Sequence, residues 1–459
     1  MSQVSAVKTT GIYCLPRCGA QPYPGNVMGF SSPSAAESAG YRACLRCRPY
    51  REAPPSSCAG PELVCRAVNL VLEGALDQGT GQDLGDRLGV SPRHLRRLFG
   101  EHLGVTPDQL ARSSRAHFAR RLLDDTDLTI TEIALAAGFG SLRQFNRTFR
   151  DVFRSQPGEL RLRRRRADRL VADGGLALRL AYRPPLDWTV MVRYLERRAI
   201  PGVESVGDGA YRRTVLVGGA PGVLEFRPGD TDHLLLRAHL PHWQGLIHLV
   251  QQARRIFNLD SDLEGAYGYL RSDPVLGLAA AAGLGARVPG AWDPFEVGIS
   301  AILGDRLTEA APSARVGRLV ERFGVAVPGL IPLGLSHLFP TPACLAAADL
   351  SSAGLSEETA RTVSAFAAVV LEGTLVLDRA SGLDPLLAAL TAIPGLDAGA
   401  AHYLALRMGE PDAFPWSDAG IRLRLEHRLS RALSPHQVGQ IAEAWRPWRA
   451  QAATLLAAS

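Results

Sequence analysis

The sequence predicts a multidomain, mainly α-helical protein, and three observations support this fold class. The chain has 459 residues, more than one domain usually holds at roughly 100–200 residues each. Two close pairs of cysteines near the N-terminus indicate a small metal-binding domain. Beyond them, the apolar pattern is helical with a duplicated helix-turn-helix signature, then strand-like, then helical again. We expect a small α+β zinc domain, an all-α double helix-turn-helix domain, an α+β sheet domain and an all-α domain built around a helical hairpin.

Signals for membrane insertion or secretion are lacking in the sequence. The longest apolar stretch, residues 275–286, stops at Arg287, and it is far shorter than the roughly 20 residues of a membrane-spanning helix. Residues 1–10 contain no apolar region of the kind that secretory signals carry. We therefore expect no membrane partner and a cytoplasmic location.

Positive charge is concentrated in the N-terminal third of the chain. Residues 1–170 contain 25 basic and 16 acidic residues, a net charge of +9, whereas residues 171–459 carry −3. A polyanion such as DNA docks most readily on a basic region, and a surplus that only keeps the domain soluble is the alternative. Lys8 is the only lysine, so nearly all the positive charge belongs to guanidinium groups.

Four of the seven cysteines have the spacing of a metal site. They form two close pairs separated by a loop, so that each chain segment supplies two thiolates to one tetrahedral ion. Zinc is the expected ion, and its predicted ligands are Cys14, Cys18, Cys44 and Cys47. Two disulfides are the alternative, which suits secreted proteins and conflicts with the missing signal. Buried apolar positions are expected for Cys58, Cys65 and Cys344.

The residues around these cysteines carry a resemblance to a known family. Residues 9–18, TTGIYCLPRC, and residues 39–47, AGYRACLRC, closely resemble the N-terminal zinc domain of the Ada adaptive-response family, although Ala43 replaces a frequent proline. The resemblance implies that Cys14 irreversibly accepts a methyl group from a methyl phosphotriester in DNA. Methylation would change the formal charge of the zinc–thiolate cluster from −2 to −1 and weaken its repulsion of DNA phosphates. A zinc site that is only structural, in a chain that responds to another signal, is the alternative.

A helix-turn-helix signature occurs twice in the next part of the chain. After a helix predicted at residues 63–76, residues 84–99 have the pattern of a short helix, a turn at Gly89 and a second helix capped by Ser91. A second copy occupies residues 130–150. Two copies about 50 residues apart predict a paired DNA-binding unit.

Polar side chains on the predicted recognition helices suit DNA binding. Leu142, Phe145 and Phe149 are expected to share a buried face, which turns polar neighbours outward. Arginine, glutamine and asparagine read base edges in a major groove, and arginine also holds phosphates. The predicted DNA-binding residues are Arg93, His94, Arg96, Arg97, Arg143, Gln144, Asn146 and Arg147. A solvated charged face is the alternative.

The two copies, with GVTP at residues 104–107 between them, resemble the DNA-binding domain of the AraC/XylS family. This resemblance implies binding to double-stranded promoter DNA, contact with RNA polymerase and association with the nucleoid. An arginine-rich run follows at residues 161–169. Such runs are usually solvated linkers, and supplementary phosphate contact is the alternative.

The C-terminal half begins with strand-like segments and continues with helices. Alternating patterns predict strands at residues 214–217, 223–226 and 233–238, and helical patterns occupy residues 246–257, 295–303, 313–323 and 357–371. The order resembles an AlkA-type 3-methyladenine DNA glycosylase of the helix-hairpin-helix superfamily. The motifs that carry the resemblance are PPLDW at 184–188, AILG at 301–304, FPTP at 339–342, LAAAD at 345–349, LEGTL at 371–375 and WRPWR at 445–449.

This second resemblance implies positions for the glycosylase chemistry. The family's hairpin binds a DNA phosphate with backbone N–H groups, and here it contains Gly395, with Asp397 in place of a second glycine, a change that restricts the turn and weakens the grip on DNA. The family's catalytic aspartate falls on Asp418, although a lone aspartate before a helix is more often an N-cap. Lyase chemistry through a Schiff base requires a lysine amine, and the distant Lys8 excludes it.

The predicted base pocket departs from the family. Tyr403 and Trp416 are its expected aromatic residues, with His402 and Arg306 as further groups that compensate for missing rings. Small residues stand at three positions where the family has stacking aromatic rings, namely Gly399, Ala419 and Ala457. Asp305 and Arg306 replace the glutamine and apolar wedge that fill the gap left by a flipped base.

Taken together, the sequence predicts a methyl phosphotriester sensor and transcriptional activator fused to a monofunctional glycosylase for alkylated purines such as 3-methyladenine. The alternative is a transcription regulator whose glycosylase-like half binds DNA or damage without catalysis. No PCHR motif of the O6-alkylguanine methyltransferase domain occurs, so that activity is not predicted. The expected domains are residues 1–53 (zinc), 61–160 (helix-turn-helix), 175–245 (sheet) and 246–459 (helix-hairpin-helix), with linkers at 54–60 and 161–174.

Overall fold

The structure, a computed structural model, describes residues 4–52, 61–171, 173–230, 232–261, 263–282, 285–304 and 314–458. The chain forms two compact units, one of residues 1–182 with 242–252 and one of residues 183–241 with 253–459. The predicted linker at 54–60, Cys58 and the Asp305–Arg306 pair lie outside the described residues. Across the ranges that the structure describes, the chain is multidomain and mainly helical, as predicted, and none of these helices combines the length and apolarity that a bilayer span requires.

The first unit begins with a small sheet that carries the first cysteine pair. Its elements are β1 (Val4–Val7), β2 (Ile12–Cys14), β3 (Val27–Phe30), α1 (Pro33–Ser38) and β4 (Arg42–Ala43). The strands lie in the order β3-β1-β2-β4, with β2 parallel to β4. Because Tyr13 pairs with Ala43 across these two strands, the residues that follow them, Cys14 and Cys44, come side by side.

In the described part of the first unit, seven α-helices follow. They are α2 (Glu62–Leu72), α3 (Gly81–Leu88), α4 (Pro92–Leu103), α5 (Pro107–Asp125), α6 (Ile130–Ala136), α7 (Leu142–Phe153) and α8 (Pro157–Leu162). The predicted cap is present, since Ser91 Oγ accepts a hydrogen bond from the N–H of His94 at 3.3 Å. Ser141 caps the equivalent helix α7 in the same way through Gln144, at 3.2 Å. Two helix-turn-helix pairs, α3–α4 and α6–α7, are therefore formed, as the signature predicted.

Two expectations for this unit were wrong. Leu142 does not share the buried face of α7: it is 42% exposed, because it lies in the first turn, and Thr148, Val152 and Phe153 complete that face instead. Helix α2 ends at Leu72 rather than at 76, because the N–H of Ala75 bonds back to Leu70 O at 2.9 Å and closes the helix.

The arginine-rich segment is folded over much of its length, in contrast to the expected solvated linker. Arg161 belongs to α8 and donates to the carbonyl of Leu128 at 2.6 Å. Arg164 donates to the carbonyl of Thr126 at 2.9 Å and to Asp127 at 2.8 Å. These carbonyls follow the end of α5, where no helical partner is available, so guanidinium groups satisfy them.

The first unit also includes β5 (Leu176–Ala181) and the beginning of α10 (Leu246–Ile256). The N–H of Gly245 donates to Leu135 O at 3.1 Å. His248 forms an ion pair with Asp77, which also pairs with Arg115. Residues 245–248 are thus held against the helix-turn-helix part of the first unit.

The second unit opens with α9 (Trp188–Glu196) and four strands of an antiparallel sheet. The strands β6 (Glu204–Gly207), β7 (Ala210–Val217), β8 (Ala220–Pro228) and β9 (His233–His239) pair in consecutive order. Their register is given by Val206 opposite Tyr211 and Leu224 opposite Ala238. All three strands predicted from alternation are present and extend further than predicted.

The rest of the second unit is helical. Its helices are α11 (Leu263–Leu270), α12 (Gly277–Ala281), α13 (Pro294–Ile302), α14 (Ala314–Phe323), α15 (Pro342–Ala347), α16 (Glu357–Leu371), α17 (Leu383–Thr391), α18 (Ala398–Met408), α19 (Ala419–Leu429), α20 (Pro435–Ala442) and α21 (Arg449–Ala458), and a two-residue pair, β10 (Val325–Ala326) and β11 (His337–Leu338), lies between α14 and α15. The core packs α13 against α16 and α18. Phe295 and Phe366 stack at 5.6 Å between ring centroids within it. This core fixes α18, which carries Tyr403, and the loop before α19, which carries Asp418.

Candidate functional site

The four predicted zinc ligands come together in the first unit. The sulfur atoms of Cys14, Cys18, Cys44 and Cys47 all lie within 4.8 Å of one another. Tetrahedral zinc–sulfur bonds of about 2.3 Å place sulfurs about 3.8 Å apart, so a small contraction would complete the site. Cys14 and Cys44 are buried, while Cys18 and Cys47 are half-buried. The donor set and its size fit zinc.

Burial and the mutual proximity of the thiols shift the ionisation of Cys14, Cys44 and Cys47. Burial and the neighbouring sulfurs raise the pKa of the Cys14 thiol, and burial raises the pKa of Cys47 to about 12. Burial acts in the same direction on Cys44, but backbone N–H groups of Cys47 and Arg46 outweigh it and lower the pKa of Cys44. Four thiolates cannot share this space without a positive ion, which is what a zinc site supplies.

The cysteine domain is joined to α5 by polar contacts that the sequence did not predict. Tyr13, which precedes Cys14, donates to Glu37 at 2.7 Å, and Glu37 also accepts a hydrogen bond from Ser113 of α5 at 2.6 Å. Glu37 pairs with His117 of the same helix. Beyond the last ligand, Arg48 donates to Asp168 at 2.6 Å. These residues are scattered in sequence, so no local pattern could have indicated them.

The predicted DNA-binding residues lie on α4 and α7. On α4, Arg93, Arg96 and Arg97 are exposed and His94 is half-buried. Arg97 forms an ion pair with Glu101 at 2.7 Å. On α7, the exposed positions are Arg143, Gln144 and Arg147, whereas Asn146 is half-buried. Each recognition helix therefore presents a polar, mainly basic surface.

Asp418 lies in the wall of a cavity of about 310 Å³ in the second unit. It is the N-cap of α19, since its Oδ1 accepts a hydrogen bond from the N–H of Ile421 at 3.0 Å. Among the described residues, none donates a hydrogen bond to its Oδ2. Ala457, one of the positions without an aromatic ring, also lines the cavity. Asp418 can therefore cap α19 with one carboxylate oxygen and still present its carboxylate to the cavity.

Tyr403 lines the same cavity and belongs to a cluster in which Tyr403 and Arg407 are buried and Tyr194 and Arg198 are half-buried. Arg407 donates to the Tyr403 hydroxyl at 2.9 Å. Burial opposes ionisation of Tyr403, but the charges of Arg407 and Arg198 outweigh it and lower the pKa of this residue. Burial raises the pKa of Tyr194 to about 12. The sequence did not single out Tyr194 or Arg198, although both follow the PPLDW motif on the chain.

Trp416 and His402 are placed apart from this cavity. Trp416 is not among its lining residues, and its ring packs against His402 at 4.4 Å between ring centroids. Gly399 lies close to Ser417 in the loop before α19. A Cβ atom at position 399 would lie only 1.8 Å from Ser417 Oγ. An aromatic ring at 399 would therefore need the loop before Asp418 to move.

The helical hairpin joins α17 to α18 through Gly395 and Asp397. Asp397 has φ −74°, an ordinary value for any residue, and caps α18 by accepting from the N–H of Ala400 at 2.7 Å. The expectation that aspartate restricts this turn was therefore wrong, because the position needs no left-handed backbone. Its exposed negative charge still faces solvent beside the turn.

Replacing Gly395 with alanine is expected to destabilise the hairpin by about 1–3 kcal/mol. Gly395 has φ +86°, and a Cβ atom there would lie 2.1 Å from Thr362 Oγ1. Urea unfolding of the two proteins measures the difference. The control is Gly373→Ala, where φ is +72° but no atom lies within 4 Å of the added carbon. Equal losses in both variants would show that the clash with Thr362 contributes nothing.

Protonation of His402 in acid is expected to destabilise the loop before α19, which carries Asp418. Its Nδ1 accepts a hydrogen bond from the N–H of Phe414 at 3.3 Å, and burial lowers the pKa of His402 to about 4. Between the unfolded pKa of 6.5 and this value, the unfolded chain binds a proton that the folded chain does not. The stabilisation is therefore complete above pH 6.5 and decreases as the pH falls, by about 2 kcal/mol at pH 5.

Urea unfolding at pH 7 and pH 5 tests this expectation. His402→Gln should reduce the difference in unfolding free energy between the two pH values by about 2 kcal/mol. An unchanged pH dependence in the variant would contradict the assignment of the acid sensitivity to this histidine.

Three family models match successive parts of the chain. The metal binding domain of Ada matches residues 2–50, a helix-turn-helix domain matches residues 84–163, and the AlkA N-terminal domain matches residues 177–293. The order of the three matches is the order predicted from the sequence.

Known proteins match over most of the chain or over its second half. A relative from Mycobacterium tuberculosis, named "Probable bifunctional transcriptional activator/DNA repair enzyme AlkA", is 35% identical over 98% of this chain and 91% of its own length. DNA-3-methyladenine glycosylase 2 from Escherichia coli is 32% identical over 60% of this chain and 94% of the relative. The solved structure of a 3-methyladenine DNA glycosylase from Archaeoglobus fulgidus shares the fold, with a TM-score of 0.53 and 19% identity over 61% of this chain and 96% of that one.

Proposed function

Because the chain belongs to the family of bifunctional transcriptional activator/DNA repair enzymes, we propose that it couples a methyl phosphotriester sensor to a DNA glycosylase. Cys14 accepts the methyl group, α4 and α7 bind double-stranded promoter DNA, and Asp418 serves the hydrolysis of alkylated purine nucleotides such as those of 3-methyladenine. The observation that carries the repair half is the carboxylate of Asp418 in the wall of a cavity large enough for a base.

Methyl transfer requires a nucleophilic sulfur at Cys14. Zinc, when bound by the four cysteines, keeps the sulfurs as thiolates and so supplies the nucleophile at neutral pH. Cys14 attacks the methyl carbon of the phosphotriester, an S–C bond forms, the C–O bond breaks, and the phosphate leaves as an ordinary anionic diester. Because the thioether product is stable, each protein molecule reacts once.

Promoter binding is proposed for the two recognition helices. Arg143, Gln144 and Arg147 on α7, and Arg93 and Arg96 on α4, are exposed and of the types that contact base edges and phosphates. Loss of one negative charge at the cysteine cluster weakens its repulsion of the DNA backbone and favours the bound state. We further propose that the DNA-bound protein contacts RNA polymerase and acts at the nucleoid.

Hydrolysis is proposed for the second unit. As the bond between the sugar C1′ and the damaged base breaks, positive charge develops on the sugar, and the Asp418 carboxylate stabilises it while a water molecule attacks C1′. The only lysine, Lys8, is in the first unit. Strand cleavage through a lysine Schiff base is therefore not part of the proposal.

The experiment offers methylated duplex DNA to the zinc-loaded full-length protein. Mass spectrometry should find one added methyl group, on the peptide that contains Cys14, and chromatography should find released 3-methyladenine. Release of no base, with intact methyl transfer, would overturn the glycosylase half of the proposal and favour a regulator whose second half only binds DNA. Absence of the added methyl group would overturn the sensor half.

A further inference from the structure

The two helix-turn-helix copies of the first unit repeat at an offset of 50 residues, which aligns the first and last residues of α4 with those of α7. The last turns of these helices differ in charge. Arg150 and Arg154 of the second copy stand where the first copy has Gly100 and Gly104. Because the first copy forms the same pair of helices with glycines, the motif does not require arginine at either position.

Arg154 adopts a backbone conformation that suits glycine better than arginine. It follows the last residue of α7 with φ +52° and ψ +32°, in the left-handed region, and Gly104 ends α4 in the same way with φ +70°. A Cβ atom makes this conformation unfavourable, so glycine is the usual residue after the end of a helix. An arginine held there in spite of the strain indicates a role for its side chain.

Arg154 completes a row of arginines along α7. The members of this arginine row are Arg143, Arg147, Arg150 and Arg154. Their spacing of four, three and four positions places them on one side of the helix. All four are exposed, and in the described part of the chain none of them forms an ion pair, although Asp151 lies on the same helix. On α4, in contrast, Arg97 pairs with Glu101. The arginine row therefore offers unpaired positive charge to an extended anion such as the DNA backbone.

The C-terminal end of the arginine row lies beside the cysteine domain. A Cβ atom at Gly40 would lie 3.9 Å from Arg154 Nη2. Strand β4, which leads into Cys44, packs against α7. Arg46 is also exposed, and its N–H donates to Cys44 Sγ at 3.3 Å. Guanidinium groups thus lie on the cysteine domain itself and on the end of α7 that adjoins it.

Methyl transfer from DNA brings two negatively charged bodies together. Zinc bound by four thiolates carries a formal charge of −2 before methylation, and the phosphates on either side of a phosphotriester are anions. Their repulsion opposes the approach of the acceptor sulfur to the methyl carbon. Guanidinium groups fixed next to the cysteine cluster offset this repulsion, because opposite charges attract over several ångströms and concentrate the substrate at the site.

We propose that Arg150 and Arg154 form a phosphate-binding site that holds the damaged duplex for methyl transfer, whatever its sequence. The inference rests on the proposed sensor function and adds the surface on which the substrate docks. Arg143 and Arg147, at the other end of the arginine row, keep the base-reading role proposed for α7. Arg150 and Arg154 are positioning residues, since they bind phosphates next to the methylated one and do not touch the reacting atoms.

The test measures single-turnover methyl transfer from duplexes that carry one methyl phosphotriester in either of two unrelated sequences. The zinc-loaded full-length protein is mixed with excess DNA, and the methyl group on Cys14 is followed by mass spectrometry over a range of DNA and salt concentrations. The test variant combines Arg150→Gln with Arg154→Gly. Its unfolding temperature should not fall below that of the wild type, because glycine relieves the strained backbone at position 154.

The variant should need more DNA for half-saturation and keep the wild-type rate at saturating DNA. Loss of two phosphate contacts should reduce the slope of log affinity against log salt concentration by about 2. If the two proteins agree at 1 M salt, this slope corresponds to an affinity about 100-fold lower at 0.1 M salt. Both sequences should show the same loss.

Two further variants serve as controls. Arg150→Lys with Arg154→Lys keeps both positive charges and should retain the wild-type salt slope. Arg237→Gln removes an exposed positive charge from β9 of the second unit and should change neither the half-saturating DNA concentration nor the limiting rate.

The remaining outcomes each count against the inference. An unchanged half-saturating concentration and salt slope in the test variant would overturn it. A lower limiting rate at an unchanged half-saturating concentration would assign the two arginines to the structure of the cysteine cluster instead of to DNA docking. An effect confined to one of the two sequences would assign them to base reading. Absence of methyl transfer by the wild type would reject the sensor function itself, and the inference with it.

Discussion

Asp418→Asn is expected to lower single-turnover base release from methylated duplex DNA by about 100- to 1000-fold. Asparagine is as good an N-cap as aspartate, so its amide oxygen can still accept the hydrogen bond that Ile421 donates at 3.0 Å. The start of α19 and the shape of the cavity should therefore be kept. What is lost is the negative charge that faces the sugar as the glycosidic bond breaks.

The control for this variant is Asp349→Asn. Asp349 also caps a helical turn, accepting from the N–H of Ser351 at 3.1 Å, but it does not line the cavity. It should release base at the wild-type rate. Thermal unfolding of both variants should match the wild type within a few degrees, since each cap is preserved. Wild-type release by Asp418→Asn would rule out the carboxylate as a catalytic group.

Cys14→Ser is expected to abolish methyl transfer from methylated DNA. The hydroxyl of serine is a far weaker nucleophile than a zinc-bound thiolate and a poor zinc ligand. Mass spectrometry should therefore find no added methyl group and a lower zinc content. The affinity for promoter DNA should also stop responding to prior incubation with methylated DNA, because the charge of the cluster no longer changes.

Cys344→Ser is the matched control, because Cys344 lies in the second unit and only donates a weak hydrogen bond to Phe323 O at 3.5 Å. It should accept one methyl group, as the wild type does. A methyl group found on Cys18, Cys44 or Cys47 in Cys14→Ser would show that the acceptor has been assigned to the wrong sulfur.

The parts of the fold that could be predicted depend on short-range patterns. Two cysteine pairs at close spacing predicted one cluster of sulfurs, and Ser91 before a helical pattern predicted the cap of α4. The arginine-rich segment was misjudged because composition shows the charge but not the acceptor. Arg161 and Arg164 bind carbonyls that follow the end of α5, more than 30 residues earlier in the chain.

The glycosylase cavity could be predicted only in part, because its walls come from distant segments. Asp418 and Tyr403 followed from the family resemblance. Tyr194 and Arg198 lie more than 200 residues before Asp418, and a helical pattern does not tell which side chain of α9 will face a cavity formed by another segment. Trp416 was expected in the pocket as an aromatic residue that compensates for missing rings, but its ring packs against His402 and does not line the cavity.

Helix α5 contacts the cysteine domain through Glu37 and also packs against α6 and α7. The same helix therefore contacts the domain that holds Cys14 and the proposed recognition helix α7. Because the cysteine domain and α7 both pack against α5, the distance between them is set by the folded protein and not by a flexible linker. In the proposed function, the cysteine cluster and α7 would therefore meet DNA at a fixed distance and at a fixed rotation about the DNA axis, and α5 would set both.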